Sequence, residues 1–160
     1  MYHFFVEPHQ IGAEEIRIEG ADVNHIRNVL RMKPGEEILI SSREGGDYFC
    51  RMEELEPEYV SAKILEEWEN KELPARIHLF QGLPKGDKME LIIQKAVELG
   101  AYRVVPVSMK RSVVKLDAKK ADAKRKRWNA VSESAAKQSK RSLIPEVAPL
   151  MTYKEAVKEA

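Results

Sequence analysis

Hydrophobic positions change their spacing once along this chain. Up to about Asn70 they recur every second residue in short runs. Tyr2–Val6, Glu15–Ile18, Glu37–Ser41, Asp47–Met52 and Tyr59–Trp68 are therefore predicted strands, because alternation presents one apolar face to a core. Ile16 and Ile18 mark such a face. Arg43-Glu44-Gly45-Gly46 lies between two of the runs and predicts a hairpin turn. One helical pattern interrupts the strands. Asp22 is its predicted N-cap, and Val23, Ile26, Val29 and Leu30 fall on one face. Short strands joined by Gly and Pro turns predict a small β-barrel.

Beyond Pro74 the period lengthens. Ile77, Leu79 and Gln81 alternate with His78, Phe80 and Gly82 in a strand, which Gly82, Pro84 and Gly86 break. Asp87 and Glu90 form a D-x-x-E pattern and predict a capping box. Met89, Ile92, Ile93, Ala96 and Val97 make the buried stripe of the helix that follows, and Gly100 ends it. Val104–Val107 is the next strand. A strand-helix-strand unit implies a parallel sheet with a right-handed crossover. Ligands of such sheets sit beyond the carboxyl ends of the strands, here around Gly82 to Asp87.

A longer helix is predicted over Asp117–Ser139, with Trp128, Val131 and Ala135 inward. Its small residues Ser132, Ser134, Ala135 and Ala136 permit a close neighbour. Pro145 precedes a short strand at Glu146–Ala148, and Thr152 and Glu155 form a second capping box. The sheet would have three strands at most, with one face lacking cover. The last helix has no Gly, Asn or Pro to close it, so the expectation is the front portion of a longer protein. The change of period places two domains, at 1–72 and 73–160.

The net charge of +1 hides a segregation. Lys110 to Arg141 holds twelve basic residues against Asp117, Asp122 and Glu133, so this stretch carries +9 and the remainder −8. Such asymmetry points to a polyanion, and nucleic acid is favoured over a merely solvated helix. Arg27 and Arg31, four apart on the first helix, are a candidate phosphate grip. His3, His9, His25 and His78 lack metal-ligand spacing, and Cys50 is alone, which predicts no metal and no internal disulfide. The lone thiol fits the cytoplasm. No apolar run reaches the length of a membrane span, so no membrane partner is expected. Gly82-Leu-Pro-Lys-Gly86 matches neither a dinucleotide nor a nucleotide-phosphate fingerprint. What remains near the strand ends is polar: Lys85 in the loop, Gln94, Lys95 and Glu98 on the helix, and Arg111 after the second strand.

Five segments in order carry a resemblance: His25-x-x-x-Val29-Leu30-Arg31-x-x-x-Gly35, Lys85-Gly86-x-Lys88-Met89-Glu90, Gln94-Lys95-Ala96-Val97-Glu98-Leu99-Gly100, Arg111-Ser112, and Gln138-Ser139-x-Arg141-x-x-x-Pro145. Together they resemble the bacterial 16S ribosomal RNA uridine-N3 methyltransferases, the RsmE family, over nearly the whole chain. The resemblance implies an α+β two-domain protein: a PUA-like β-barrel that helps hold RNA, followed by the first part of an α/β SPOUT (trefoil-knot) methyltransferase domain. It implies S-adenosyl-L-methionine as cofactor of the full-length protein, 16S rRNA or the small ribosomal subunit as partner, and a homodimer with the active site at the subunit interface. The family's Gly-Pro-Glu-Gly-Gly-like loop and Leu-Arg-x-Glu-Thr-like segment do not occur here, so most of the cofactor pocket is expected to be missing and no cofactor residue is assigned.

Uridine N3 lies on the Watson–Crick edge, so the target base must be unpaired or flipped out. Methyl transfer is a direct displacement governed by positioning, and a cation near O2 or O4 steadies the base as N3 loses its proton. Arg111 is the first catalytic candidate, with Lys95 and Gln94 beside it. Related SPOUT enzymes carry an arginine where Gln94 stands here. Arg27, Arg31, Lys85, Lys124, Arg125, Arg127, Gln138 and Arg141 are the candidate RNA contacts. The alternatives are a non-catalytic RNA-binding module and a dimerisation fragment.

Overall fold

The computed structural model describes residues 1–43, 45–69, 72–109 and 118–160. The chain divides into two compact units, Met1–Lys71 and Glu72–Ala160.

The first unit holds β1 (Tyr2–Val6), a 3₁₀ turn (Pro8–Gln10), β2 (Glu15–Glu19), α1 (Ala21–Asn24) continued by a π-helical turn (His25–Val29), β3 (Glu37–Ser42), β4 (Asp47–Leu55) and β5 (Tyr59–Trp68). The strands form one sheet in the order β1-β3-β4-β5-β2. β1 runs parallel to β3, and the other pairs are antiparallel. Alternation does what the sequence requires: Ile16 and Ile18 are buried while Glu15, Arg17 and Glu19 face out. Phe4, Ile38, Ile40, Met52 and Val60 join them in one core with Val23 and Ile26 from the helical turn. The register of β4 on β5 shifts at Phe49/Cys50 and again at Met52/Glu54. Such bulges bend a sheet and tighten its twist, and here they curl it around that core. The curl stops short of closure. No ladder joins β1 to β2 among the described residues, so the expected barrel is a half-barrel plugged by α1.

Two expectations for that helix give way. Gly20, not Asp22, is the N-cap, and Asp22 sits in the first turn beside the positive helix end. Val29 is 62% exposed rather than inward. The Leu30 N–H donates to His25 O at 2.9 Å, five residues back, and this extra residue in the turn rotates Val29 out of the apolar face. The same widening removes the α-helical neighbour relation assumed for Arg27 and Arg31.

The second unit holds β6 (His78–Gly82), α2 (Lys88–Glu98), β7 (Arg103–Ser108), α3 (Ala118–Ser139), β8 (Glu146–Val147), β9 (Met151–Thr152) and α4 (Tyr153–Glu159). All pairings are parallel, with β7 central between β6 and the two short pieces β8 and β9. The sheet thus has four strands, one more than expected. β8 faces Arg103 and Val104, and β9 faces Val107 and Ser108. Pro149, which has no N–H to donate, falls in the gap between them. On α2, Met89, Ile93 and Val97 are buried, and on α3 Trp128, Ser132, Ala135 and Ala136. The small run works as expected: the Ser132 hydroxyl donates to Pro145 O at 2.6 Å. α4 lays Ala156 against Val105 and Val107, so the face expected to lie bare is partly covered. The Thr152–Glu155 capping box forms.

The Asp87–Glu90 box does not. Asp87 makes no side-chain cap bond, and its backbone is not extended. The Glu90 carboxylate is taken instead by Arg127 of α3, at 2.6 Å from its Nε. A charge-assisted pair between helices has displaced a local cap.

Candidate functional site

In the second unit the loop from Leu83 to Asp87 leaves the carboxyl end of β6. It begins as a continuation of the ladder, with the Leu83 N–H donating to Val107 O at 2.9 Å. Gly86 then turns it at φ 65°, a left-handed value that suits glycine. The loop closes one side of a pocket of about 130 Å³, with Pro84, Gly86, Asp87 and Met89 facing Lys124 and Trp128 of α3. The Lys124 ammonium lies 6.0 Å from the centre of the Trp128 ring, the outer limit of a cation–π contact. Lys85 stands exposed on the rim. A cation beside an aromatic ring suits a phosphate-bearing or planar ligand. Trp128 was legible from sequence only as a core residue; its place in the pocket follows from the α2–α3 packing.

A second, apolar cleft of about 270 Å³ opens where β6 and β7 end, between Phe80, Val107 and Met109 on the strand side and Tyr153, Ala156 and Val157 of α4. Tyr153 and Val157 remain largely exposed there. This is the position at which parallel sheets receive ligands.

The polar cluster of α2 is self-engaged. Lys95 Nζ donates to Glu98 Oε2 at 2.7 Å, and Gln94 Nε2 donates to Glu98 Oε1 at 2.8 Å. The hydrogen bond from Lys95, followed by that from Gln94, holds the Glu98 carboxyl below its ordinary range. Arg111 lies outside the described residues.

The RNA candidates divide. Arg31, Lys85 and Gln138 are exposed and Arg27 is half-exposed. Arg125 reaches Glu146 at 3.9 Å and Arg127 pairs with Glu90, so part of their charge is met from within the unit. Arg141 is the most deeply engaged of them. Its Nε donates to both Glu72 carboxylate oxygens at 2.9 Å, and its Nη1 donates to Val97 O at 2.7 Å and Ala101 O at 3.1 Å. With its side chain 10% exposed, Arg141 closes the carboxyl end of α2 and spends its donors within the unit.

Cys50 is fully buried, and burial pushes its thiol up to about 12. It stays protonated and inert at neutral pH. Among the described residues no group of three or more His, Cys, Asp or Glu is placed to hold a metal, and no helix is long and apolar enough to cross a membrane.

Comparison with known proteins covers both units. An RNA methyltransferase PUA domain model matches residues 18–65, and an RNA methyltransferase domain model matches residues 71–160. Ribosomal RNA small subunit methyltransferase E of Bacillus subtilis is 41% identical over 97% of this chain and 62% of its own length. The Synechocystis protein of the same name is 30% identical over 99% of this chain and 50% of its own length. The chain therefore spans between half and just under two thirds of these relatives. A solved structure of ribosomal RNA small subunit methyltransferase E from Neisseria gonorrhoeae, bound to S-adenosyl methionine, superposes with a TM-score of 0.86 at 33% identity, covering 100% of this chain and 66% of that one. With a PUA-like half-barrel followed by a parallel α/β unit, both matched in the same order, this chain belongs to the ribosomal RNA small subunit methyltransferase E family of RNA methyltransferases.

Proposed function

We propose that this chain serves S-adenosylmethionine-dependent methylation of uridine N3 in 16S ribosomal RNA, gripping RNA in a cytoplasmic homodimeric enzyme. One observation carries the reading: an RNA methyltransferase PUA match and an RNA methyltransferase domain match lie side by side on the two units. Lys85 and Lys124, at the pocket beyond β6, are the proposed RNA contacts of the second unit, with Gln138. Arg27 and Arg31 are those of the first. Arg125 and Arg127 add to the field of α3 while holding Glu146 and Glu90. Lys95, Gln94 and Arg111 stay the proposed positioning groups for the base.

Among the described residues the apolar cleft offers the cofactor few polar partners. The cleft measures about 270 Å³, close to the lower end of the roughly 300–1,000 Å³ of small-molecule and cofactor sites. Tyr153 supplies the one polar side-chain atom of its lining, against a sulfonium, a ribose and an amino-acid group that all need polar partners. That mismatch favours a second reading for the chain on its own, a non-catalytic RNA-binding module.

Two measurements separate the readings. Incubation with 16S rRNA or small subunits and labelled S-adenosylmethionine, followed by reverse transcription, detects N3 methylation as a stop, because the modified edge cannot pair. Calorimetric titration of S-adenosylmethionine into the chain tests the pocket. The expected result is salt-sensitive RNA binding with weak or no cofactor uptake by this chain alone, and a stop at a uridine when the longer family protein is used. Tight cofactor binding by this chain overturns the statement about its pocket. RNA binding that ignores salt overturns the RNA reading.

A further inference from the structure

Among the described residues, two that are not glycine have a positive φ, and both are basic: Arg31 at 53° and Lys140 at 55°. They occupy the same place in a helix end. After the π-helical turn, the Met32 N–H donates back to Ile26 O at 3.0 Å. After α3, the Arg141 N–H donates back to Ala136 O at 3.0 Å. Each bond closes the helix over one residue in left-handed backbone, a position that glycine normally fills. The end of α2 provides the internal comparison. There the Ala101 N–H donates to Ala96 O at 2.9 Å, and Gly100 takes the left-handed place at φ 98°. A Cβ on Gly100 would meet Leu73 Cδ1 at 2.7 Å, so that site excludes a side chain sterically as well.

Every other left-handed position described is also a glycine: Gly20, Gly35, Gly45, Gly46 and Gly86. A residue with a Cβ in this region carries a conformational penalty that glycine avoids. Arginine and lysine stand at these two ends all the same. No hydrogen bond or ion pair among the described residues engages either side chain, and both are exposed. The negative end of a helix attracts a cation, but a basic residue one position earlier, in ordinary helical backbone, would feel the same attraction. What the left-handed position adds is direction, since it swings the side chain off the helix end into solvent.

We propose that Arg31 and Lys140 bind phosphates of the RNA backbone, one in each unit, and that the left-handed backbone is retained because it aims these two cations. The inference rests on the RNA reading above and adds to it Lys140 and the backbone device. Arginine can take two phosphate oxygens in a fork, whereas lysine makes a point contact.

The test uses Arg31→Gly and Lys140→Gly in the full chain, with a single-stranded RNA oligonucleotide of 16S sequence as probe. Glycine relieves the backbone, so the melting temperature is expected to rise. RNA affinity is expected to fall roughly threefold or more for each substitution at low salt, and the slope of log affinity against log salt to shrink by about 0.7 for each lost phosphate contact. A variant that is more stable yet binds more weakly cannot owe its weaker binding to unfolding. A fall in melting temperature would overturn the strain premise. If the unsubstituted chain binds RNA with a steep salt slope and both glycine variants match it, this inference fails and the RNA reading stands. If the unsubstituted chain shows no salt-dependent binding, the RNA reading fails and takes this inference with it.

Discussion

Removing the Arg141 guanidinium should unfold the second unit more readily than any surface substitution. The side chains of Arg141 and Glu72 are 10% and 12% exposed, and they share three hydrogen bonds, the shortest from Nη2 to Oε2 at 2.5 Å. The Ser142 N–H also donates to Glu72, at 2.9 Å. In Arg141→Ala the carboxylate keeps that bond and loses the Arg141 charge in a nearly closed site. Breaking a buried pair from one side costs about 3–5 kcal/mol. Val97 O and Ala101 O lose their donor as well, each worth roughly 1 kcal/mol where no water reaches it. These terms overlap, so about 4 kcal/mol is expected, a large part of the roughly 5–15 kcal/mol that holds a domain folded.

Urea denaturation followed by far-ultraviolet circular dichroism reads this directly. Glu72→Gln keeps an acceptor for Ser142 and should cost less than Arg141→Ala. Arg141→Met combined with Glu72→Leu removes both charges and should recover most of the loss, because an apolar replacement of a whole pair is often close to neutral. A loss under about 1 kcal/mol for Arg141→Ala, or a double variant as unstable as the sum of its parts, would refute the argument. The first outcome would mean that water enters the site. The second would mean that the packing, not the charge, holds these segments.

Three further outcomes follow from the core and the sheet edge. Cys50 should resist alkylation in the native protein at neutral pH and react once it is unfolded, and labelling in the native state at the rate of a free thiol would contradict its burial. Its folded value of about 12 lies above the unfolded one. The thiol's contribution is therefore complete below pH about 8.5 and is lost as pH climbs toward the folded value. A pH titration of thermal stability, with Cys50→Ala as reference, checks the sign. Asn129 pairs with both backbone groups of Val147, donating to its O at 3.1 Å and accepting from its N–H at 3.0 Å. Asn129→Ala strips the outer side of β8 and should cost about 1–3 kcal/mol in the same denaturation; an unchanged midpoint would show that water replaces the amide.

Much of the fold was legible because local chemistry and tertiary packing agree. Ile16 and Ile18 alternate on a strand with one wet face, and Met89, Ile93 and Val97 repeat on a helix with one dry face. Where the sequence misled, a distant partner overrode a local rule. Glu90 stands three residues after Asp87, as a capping box requires, but Arg127 lies thirty-seven positions on and takes the carboxylate. Val29 keeps α-helical spacing, yet one widened turn carries it into solvent. β9 is only two residues long, too short to show alternation, and depends on β7 for its ladder.

The candidate site was legible to a lesser degree, for a reason that concerns charge. Sequence shows how many cations crowd α3 but not which carboxylates fold back onto them. Glu90 comes from α2 and Glu146 from β8, each to meet an arginine of α3, while Asp122 and Glu133 meet Lys126 and Lys137 along the helix itself. Such exposed pairs contribute little to stability, about 0–1 kcal/mol each, but they lower the local field that a polyanion meets. Arg31, Lys85 and Lys140 are exposed, and no ion pair among the described residues engages them. Lys85 and Lys140 sit outside the dense run Lys124–Arg127 that dominates the sequence, and Arg31 sits in the other unit altogether. A count of basic residues therefore marks α3 without ranking the positions on it. Burial, pairing and backbone conformation choose among them, and each of those depends on contacts that close only when the chain folds.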